Sequence, residues 1–209
     1  MSHPDAPTRE RLLSAAKQLF LEKGADQVSL RAINAAAGVN PGAVHYHFGS
    51  REGLVSALLE RELRPMWKGR LDALSGPAGG AEVEVRDLVA AVVEPFAELV
   101  GTRDGRVLCH LLARAALPTG QLPHVSALFV PAPFEVLIGR TLPELSPQEV
   151  IERCRLAFGA ILETYGRPLV ATPAESSGFP STRTVIAFVT GGLTAPSESG
   201  STHRPEAGP

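Results

Sequence analysis

The chain has 209 residues, 44% of them hydrophobic and 20% charged, with a formal net charge of -2. This supports one large or two small packed domains, excludes a chain disordered throughout, and lacks the basic footprint usual in nucleic-acid binders. Two cysteines, Cys109 and Cys154, are too few for a disulfide framework or a four-cysteine zinc site, so buried, inert thiols are expected.

Apolar residues recur at three- and four-residue spacing from end to end, and the chain reads as all-α. Leu12, Ala15, Ala16, Leu19 and Phe20 line one face of a first helix, with Thr8 as N-cap and Gly24 as its stop. Ser29 can cap a short helix, Leu30 to Ala37, with Leu30, Ile33 and Ala37 inward and Gly38 ending it. Asn40 and Pro41 restart the chain into a second short helix, Pro41 to Phe48, which buries Val44 and Phe48. Gly49 closes that helix, and Ser50 caps a longer one from Arg51. Pro65 should kink or end this helix, with helical sequence resuming over Met66 to Leu74.

A Gly- and Pro-rich loop, Ser75 to Ala81, follows. Further helices are expected at Glu82 to Val100, Arg106 to Leu117, Pro123 to Val130, Pro133 to Thr141, Pro147 to Tyr165 and Thr182 to Leu193. Residues 194–209, rich in Ser, Gly and Pro, read as a disordered tail. Met1 to Arg9 has no apolar run, so no signal peptide is expected. The most apolar stretch, Asp87 to Gly101, is too short to span a bilayer, and a cytoplasmic protein without membrane partners is expected.

Two short helices joined by Gly38, Val39 and Asn40 make a helix-turn-helix. The first helix packs behind them and leaves the outer face of the second free, a shape that fits a DNA major groove. That face would present Pro41, Gly42, Ala43, His45, Tyr46 and His47, followed by Arg51. Tyr, His and Arg can donate to phosphates, and the two small residues permit close approach to base edges. His45 and His47, two apart on a helix, point to different sides and make no metal pair. Cys109 beside His110 lacks an orienting carboxylate, and no phosphate loop, nucleophile elbow or metalloprotease motif occurs, so neither an enzyme nor a cofactor is expected.

Three stretches, LLSAAKQLFLEKG at residues 12–24, SLRAINAAAGVN at 29–40 and AVHYHFGSREGLVSALL at 43–59, resemble the N-terminal DNA-binding domain of the TetR family of bacterial transcriptional regulators. The resemblance covers about a quarter of the chain. It implies that Ser29, Arg31, Gly42, Ala43, His45, Tyr46, His47 and Arg51 touch DNA, with Tyr46, His47 and Arg51 mostly on phosphates. Three positions depart from the family pattern: His45 replaces an aromatic residue, Arg51 replaces Lys, and Asn34 stands where a small inward residue is usual. Asn34 is expected to loosen helix packing.

The resemblance divides the chain into a helix-turn-helix domain over 1–64, a larger helical ligand-binding and dimerisation domain over 65–193, and the tail. It implies a homodimeric regulator, with repression the leading reading, that binds a palindromic operator of double-stranded DNA and is released by a small apolar effector. An activator of the same architecture and a DNA-binding dimer without a ligand are the alternatives.

In the second domain, bulky apolar residues without charge partners mark a candidate pocket: Phe96, Leu99, Val100, Leu108, Leu112, Phe129, Phe134, Phe158, Leu162 and Tyr165. His110 and Arg114 join Tyr165 as its polar groups. For dimerisation the helices Pro147 to Tyr165 and Thr182 to Leu193 are expected to pair across a two-fold axis. Their stripes are Val150, Cys154, Ala157, Phe158, Ile161 and Leu162 on one, and Val185, Ile186, Phe188, Val189 and Gly192 on the other. Pro65 would be the hinge through which ligand changes the spacing of the two reading heads. Residues 1–64 carry eight Lys and Arg against seven Asp and Glu, and none of the acids lies between Pro41 and Arg51. Near-neutral composition therefore leaves room for a specific site gripped by a dimer.

Overall fold

A computed structural model describes residues 5–75, 83–118, 132–167 and 178–197. Among them are nine α-helices and one 3-10 turn, and no strand. The order is α1 (Asp5–Lys23), the 3-10 turn (Ala25–Gln27), α2 (Leu30–Ala36), α3 (Ala43–Phe48), α4 (Arg51–Ser75), α5 (Val85–Val100), α6 (Arg103–Ala116), α7 (Ala132–Thr141), α8 (Pro147–Tyr165) and α9 (Thr182–Leu193). The expected helix Pro123 to Val130, most of the Gly-rich loop and the tail beyond residue 197 lie outside the described residues.

Local chemistry sets most boundaries. Gly24, at φ +80°, turns the chain out of α1 while its N–H donates to the Phe20 carbonyl at 3.0 Å. Ser29 Oγ accepts the Ala32 N–H at 3.2 Å and Ser50 Oγ the Gly53 N–H at 3.0 Å, so both serines cap as their sequence positions predict. Several starts differ: α1 begins at Asp5, ahead of Thr8, α5 at Val85 rather than Glu82, α7 at Ala132 rather than Pro133, and α6 at Arg103 rather than Arg106, with Thr102 capping it by accepting the Gly105 N–H at 3.0 Å.

α1, α2, α3 and the first half of α4 enclose one part of the core, with Leu12, Leu13, Ala16, Phe20, Ile33, Val44, Leu54 and Leu58 almost fully buried. α5 is the centre of the other part and packs against α4, α6, α7, α8 and α9. The 25 residues of α4 span roughly 37 Å at 1.5 Å per residue, and α4 reaches both parts. The boundary expected at residue 64 therefore falls inside a helix.

Pro65 neither ends nor interrupts α4. It sits on the exposed side of the helix, while Leu63 and Trp67 on either side pack on the core.

Candidate nucleic-acid interface

The helix-turn-helix is built on one buried polar side chain. Asn34, only 3% exposed, donates from Nδ2 to the Pro41 carbonyl at 2.6 Å and accepts the Val44 N–H at Oδ1 at 3.3 Å. Its own carbonyl accepts the Val39 N–H at 3.0 Å. One residue thus ties α2 to the turn and to the first turn of α3, which corrects the expectation that Asn34 loosens the packing. Gly38, at φ +62°, allows the sharp exit from α2. α3 starts at Ala43, two residues later than expected, because Pro41 and Gly42 form the turn that Asn34 holds.

With Val44 and Phe48 buried, α3 turns its other side outward. Tyr46 is 76% exposed, His45 is exposed, and His47 is half-buried with its ring edge-on to Tyr46 at 5.0 Å. Pro41 and Gly42 are exposed, and Ala43 is half-buried. His45 Nδ1 lies 3.1 Å from the Gly49 carbonyl, which fixes the ring over the C-terminal end of α3. Arg31 is exposed on α2, and Ser29 is exposed with its hydroxyl engaged as the α2 cap.

Arg51 is placed differently from the rest. Its guanidinium donates to the Val28 carbonyl at 2.5 Å and to the Ala25 carbonyl, and lies over the Phe20 ring at 5.6 Å from the centroid. It is turned back into the protein, where it holds the segment between α1 and α2. Beside it Glu52 has its pKa lowered, first by its own backbone N–H and then by the Ser50 hydroxyl.

An open groove of about 500 Å3 runs across this surface. It is lined by Tyr46, His47, Gly42 and Ala43, by Gly38, Val39 and Asn40 of the turn, and by Thr8 and Arg11 of α1. Every donor along it is neutral or cationic, and no carboxylate lines it. Thr8 and Arg11 were absent from the sequence-derived set. Their signal was available in the helical spacing, since both fall off the apolar stripe of α1.

The candidate pocket residues separate into two groups. Phe96 of α5 stacks on Tyr165 of α8 at 5.7 Å, and the column extends to Trp67 at 5.0 Å from Phe96 and to Phe179 at 6.0 Å from Tyr165. Phe134 and Phe158 meet edge-to-face at 5.4 Å. Leu108, Leu112 and Leu162 are buried, Leu99 and Val100 are half-buried, and Phe129 lies outside the described residues. Trp67, which the sequence reading passed over, donates from Nε1 to the Val92 carbonyl at 3.0 Å. Burial raises the Tyr165 pKa, with the Thr182 side chain acting against it and Cys109 adding to it.

His110 Nδ1 donates to the Gly166 carbonyl at 2.8 Å and is a strut between α6 and the end of α8. Arg114 pairs with Asp26 of the 3-10 turn, so it links the two parts of the chain across their surface. Burial pushes the Cys109 thiol up to about 12, and burial with the Glu135 charge does the same to Cys154, which leaves both as neutral thiols. No group of three or more His, Cys, Asp and Glu among the described residues is placed to hold a metal. No described helix is long and apolar enough to cross a membrane.

Residues 12–58 match a family described as bacterial regulatory proteins, tetR family. The regulator UidR of Escherichia coli K12 is 40% identical over 53 residues, 25% of this chain and 27% of that protein. The transcriptional repressor BepR of Brucella suis is 38% identical over 68 residues, 32% of each. The chain thus matches between a quarter and a third of the length of these curated relatives. Among solved structures, the multidrug binding protein EbrR, complexed with imidazole, is 25% identical and superposes with a TM-score of 0.53 over 91% of this chain and 97% of that one. By sequence over residues 12–58 the chain resembles the bacterial regulatory proteins of the tetR family, and the order of its helices matches the fold of the solved structure it superposes on.

Proposed function

We propose that this chain is a cytoplasmic, homodimeric transcriptional repressor that binds a palindromic operator through α3 and is released by a small apolar ligand. One observation carries the DNA half: a two-turn helix anchored by Val44, Phe48 and the Asn34 hydrogen bonds presents Tyr46 and His47 along a groove with no carboxylate, with His45 exposed beyond it. Phosphate repels acids and rewards donors, so that arrangement suits a duplex backbone flanking base edges. Tyr46 and His47 donate to phosphates, Gly42 and Ala43 admit the base edges, and Arg51 is a positioning residue that braces the base of the motif. Arg31 and Ser29 on α2 border the contact.

Dimerisation is supported by a surface that shares only Phe188 and Gly192 with the stripes expected from periodicity. Val150, Cys154, Ile161, Leu162, Val185, Ile186 and Val189 are buried within the protomer. The outward faces of α8 and α9 instead carry Leu156, 75% exposed, and Phe188, 74% exposed, with Gly159, Gly191 and Gly192 beside them where an added Cβ would meet nothing. Two such faces related by a two-fold axis bury a large knob among small residues, and the pair of heads then reads half-sites about 34 Å apart. The ligand half rests on the aromatic column through Phe96 and Tyr165 and on the likeness to EbrR, a multidrug binding protein.

The test begins with selection of binding duplexes from a randomised pool by the full chain, followed by footprinting. A two-fold symmetric protected site is expected, and Tyr46→Ala should weaken binding to it about tenfold while the helical content stays unchanged. Release by apolar probes, a long-chain acyl thioester among them, tests the ligand half. Binding with no sequence preference, or none at all, overturns the proposal.

A further inference from the structure

We infer that α1 supplies a backbone-gripping contact of its own to the DNA, made by Arg11 with Thr8 beside it; this rests on the DNA-binding reading above. Thr8 and Arg11 line the same groove as Tyr46 and His47. Lys23 sits in the last turn of α1, at the end away from Thr8 and Arg11, and the cations of α1 and α4 nearer the groove are compensated. Arg9 lies 3.8 Å from Glu10, Arg61 is 3.1 Å from Glu10 and 2.8 Å from Glu62, Arg64 is 3.8 Å from Glu60, and Lys17 is 2.6 Å from Glu62. Arg51 is held by two carbonyls.

Arg11 has no carboxylate partner among the described residues, and its hydrogen bond runs from Nη2 to Thr8 Oγ1 at 3.3 Å. That bond uses one acceptor lone pair of Thr8 and leaves its O–H free to donate. A permanent cation and a hydroxyl donor, side by side in a groove without acids, match the non-bridging oxygens of a phosphodiester. Arg11 comes from the helix behind the reading helix, the position from which a helix-turn-helix grips backbone rather than base edges. The near-neutral domain thus keeps an uncompensated cation, Arg11, in the groove beside the reading helix.

The experiment uses the full chain and two duplexes, one selected from a randomised pool and one of scrambled order. Arg11→Gln should lower affinity for both duplexes by a similar factor and make the slope of log K against log salt shallower by about one per protomer. Arg11→Lys should restore most of the slope. Repeated selection with Arg11→Gln should return the same sequence preference. An unchanged slope, a lysine variant no better than glutamine, or an altered base preference overturns the inference. If the unaltered chain itself selects no duplex, the DNA-binding reading fails, a result seen before any Arg11 variant is made.

Discussion

At the scale of single residues, the site depends on where side chains spend their hydrogen bonds. Asn34 sits where the family resemblance implies a small residue, and in this chain it satisfies two backbone groups that the α2–α3 turn leaves open. Asn34→Ala should therefore cost about 1–3 kcal/mol, measured as a lower denaturant midpoint at constant slope. An unchanged midpoint would mean that water replaces the amide without loss. The exposure of His45 and Tyr46 was legible from spacing alone, because a short helix with two buried residues has little choice about its other face. Arg51 was not legible. Its long stem reaches back over Phe20 to carbonyls 23 and 26 residues away in sequence, and no local pattern encodes that contact.

At the scale of elements, α4 decides more than its propensity indicates. It begins by passing so close to α3 that a Cβ on Gly53 would stand 2.1 Å from the Phe48 carbonyl oxygen. Backbone cannot yield as a side chain end can, so Gly53→Ala should destabilise the fold by more than about 2 kcal/mol, read by thermal unfolding. Further along, α4 is joined to α1 by Glu62. Burial by itself raises the pKa of Glu62, but hydrogen bonds from Lys17 and Arg61 prevail and the net shift is downward. A depressed folded pKa stabilises the native state above the ordinary value of 4.5 and loses that contribution as the pH falls through the folded value. Acid titration of unfolding should show this loss below about pH 4.5, and Glu62→Gln should flatten that limb. The continuity of α4 through Pro65 is likewise a tertiary result, since packing of Leu63 and Trp67 supports both sides of a residue that in isolation ends helices.

At the scale of the whole molecule, the question is which apolar residues face inward. Periodicity located α8 and α9 to the residue, with Ser146 and Ser181 capping them by accepting the Glu149 and Thr184 N–H groups. It did not separate the face that fills the protomer from the face that is left exposed. Leu156→Glu combined with Phe188→Glu should convert the chain from dimer to monomer in sedimentation, with helical content retained and operator affinity reduced more than a hundredfold. A dimer that survives both changes would place the interface elsewhere.

The sequence by itself determined the helical class, the Ser29 and Ser50 caps, the helix-turn-helix and the outward face of α3. All of these follow from contacts within a few residues of one another, which spacing and turn chemistry record. Only the tertiary structure decided that Arg51 points inward, that Asn34 is a tie, that α4 is unbroken, and that α1 lends Arg11 and Thr8 to the groove. Those outcomes depend on which carboxylate, carbonyl or aromatic ring the folded chain brings alongside, and packing sets those neighbours across separations that local sequence does not register.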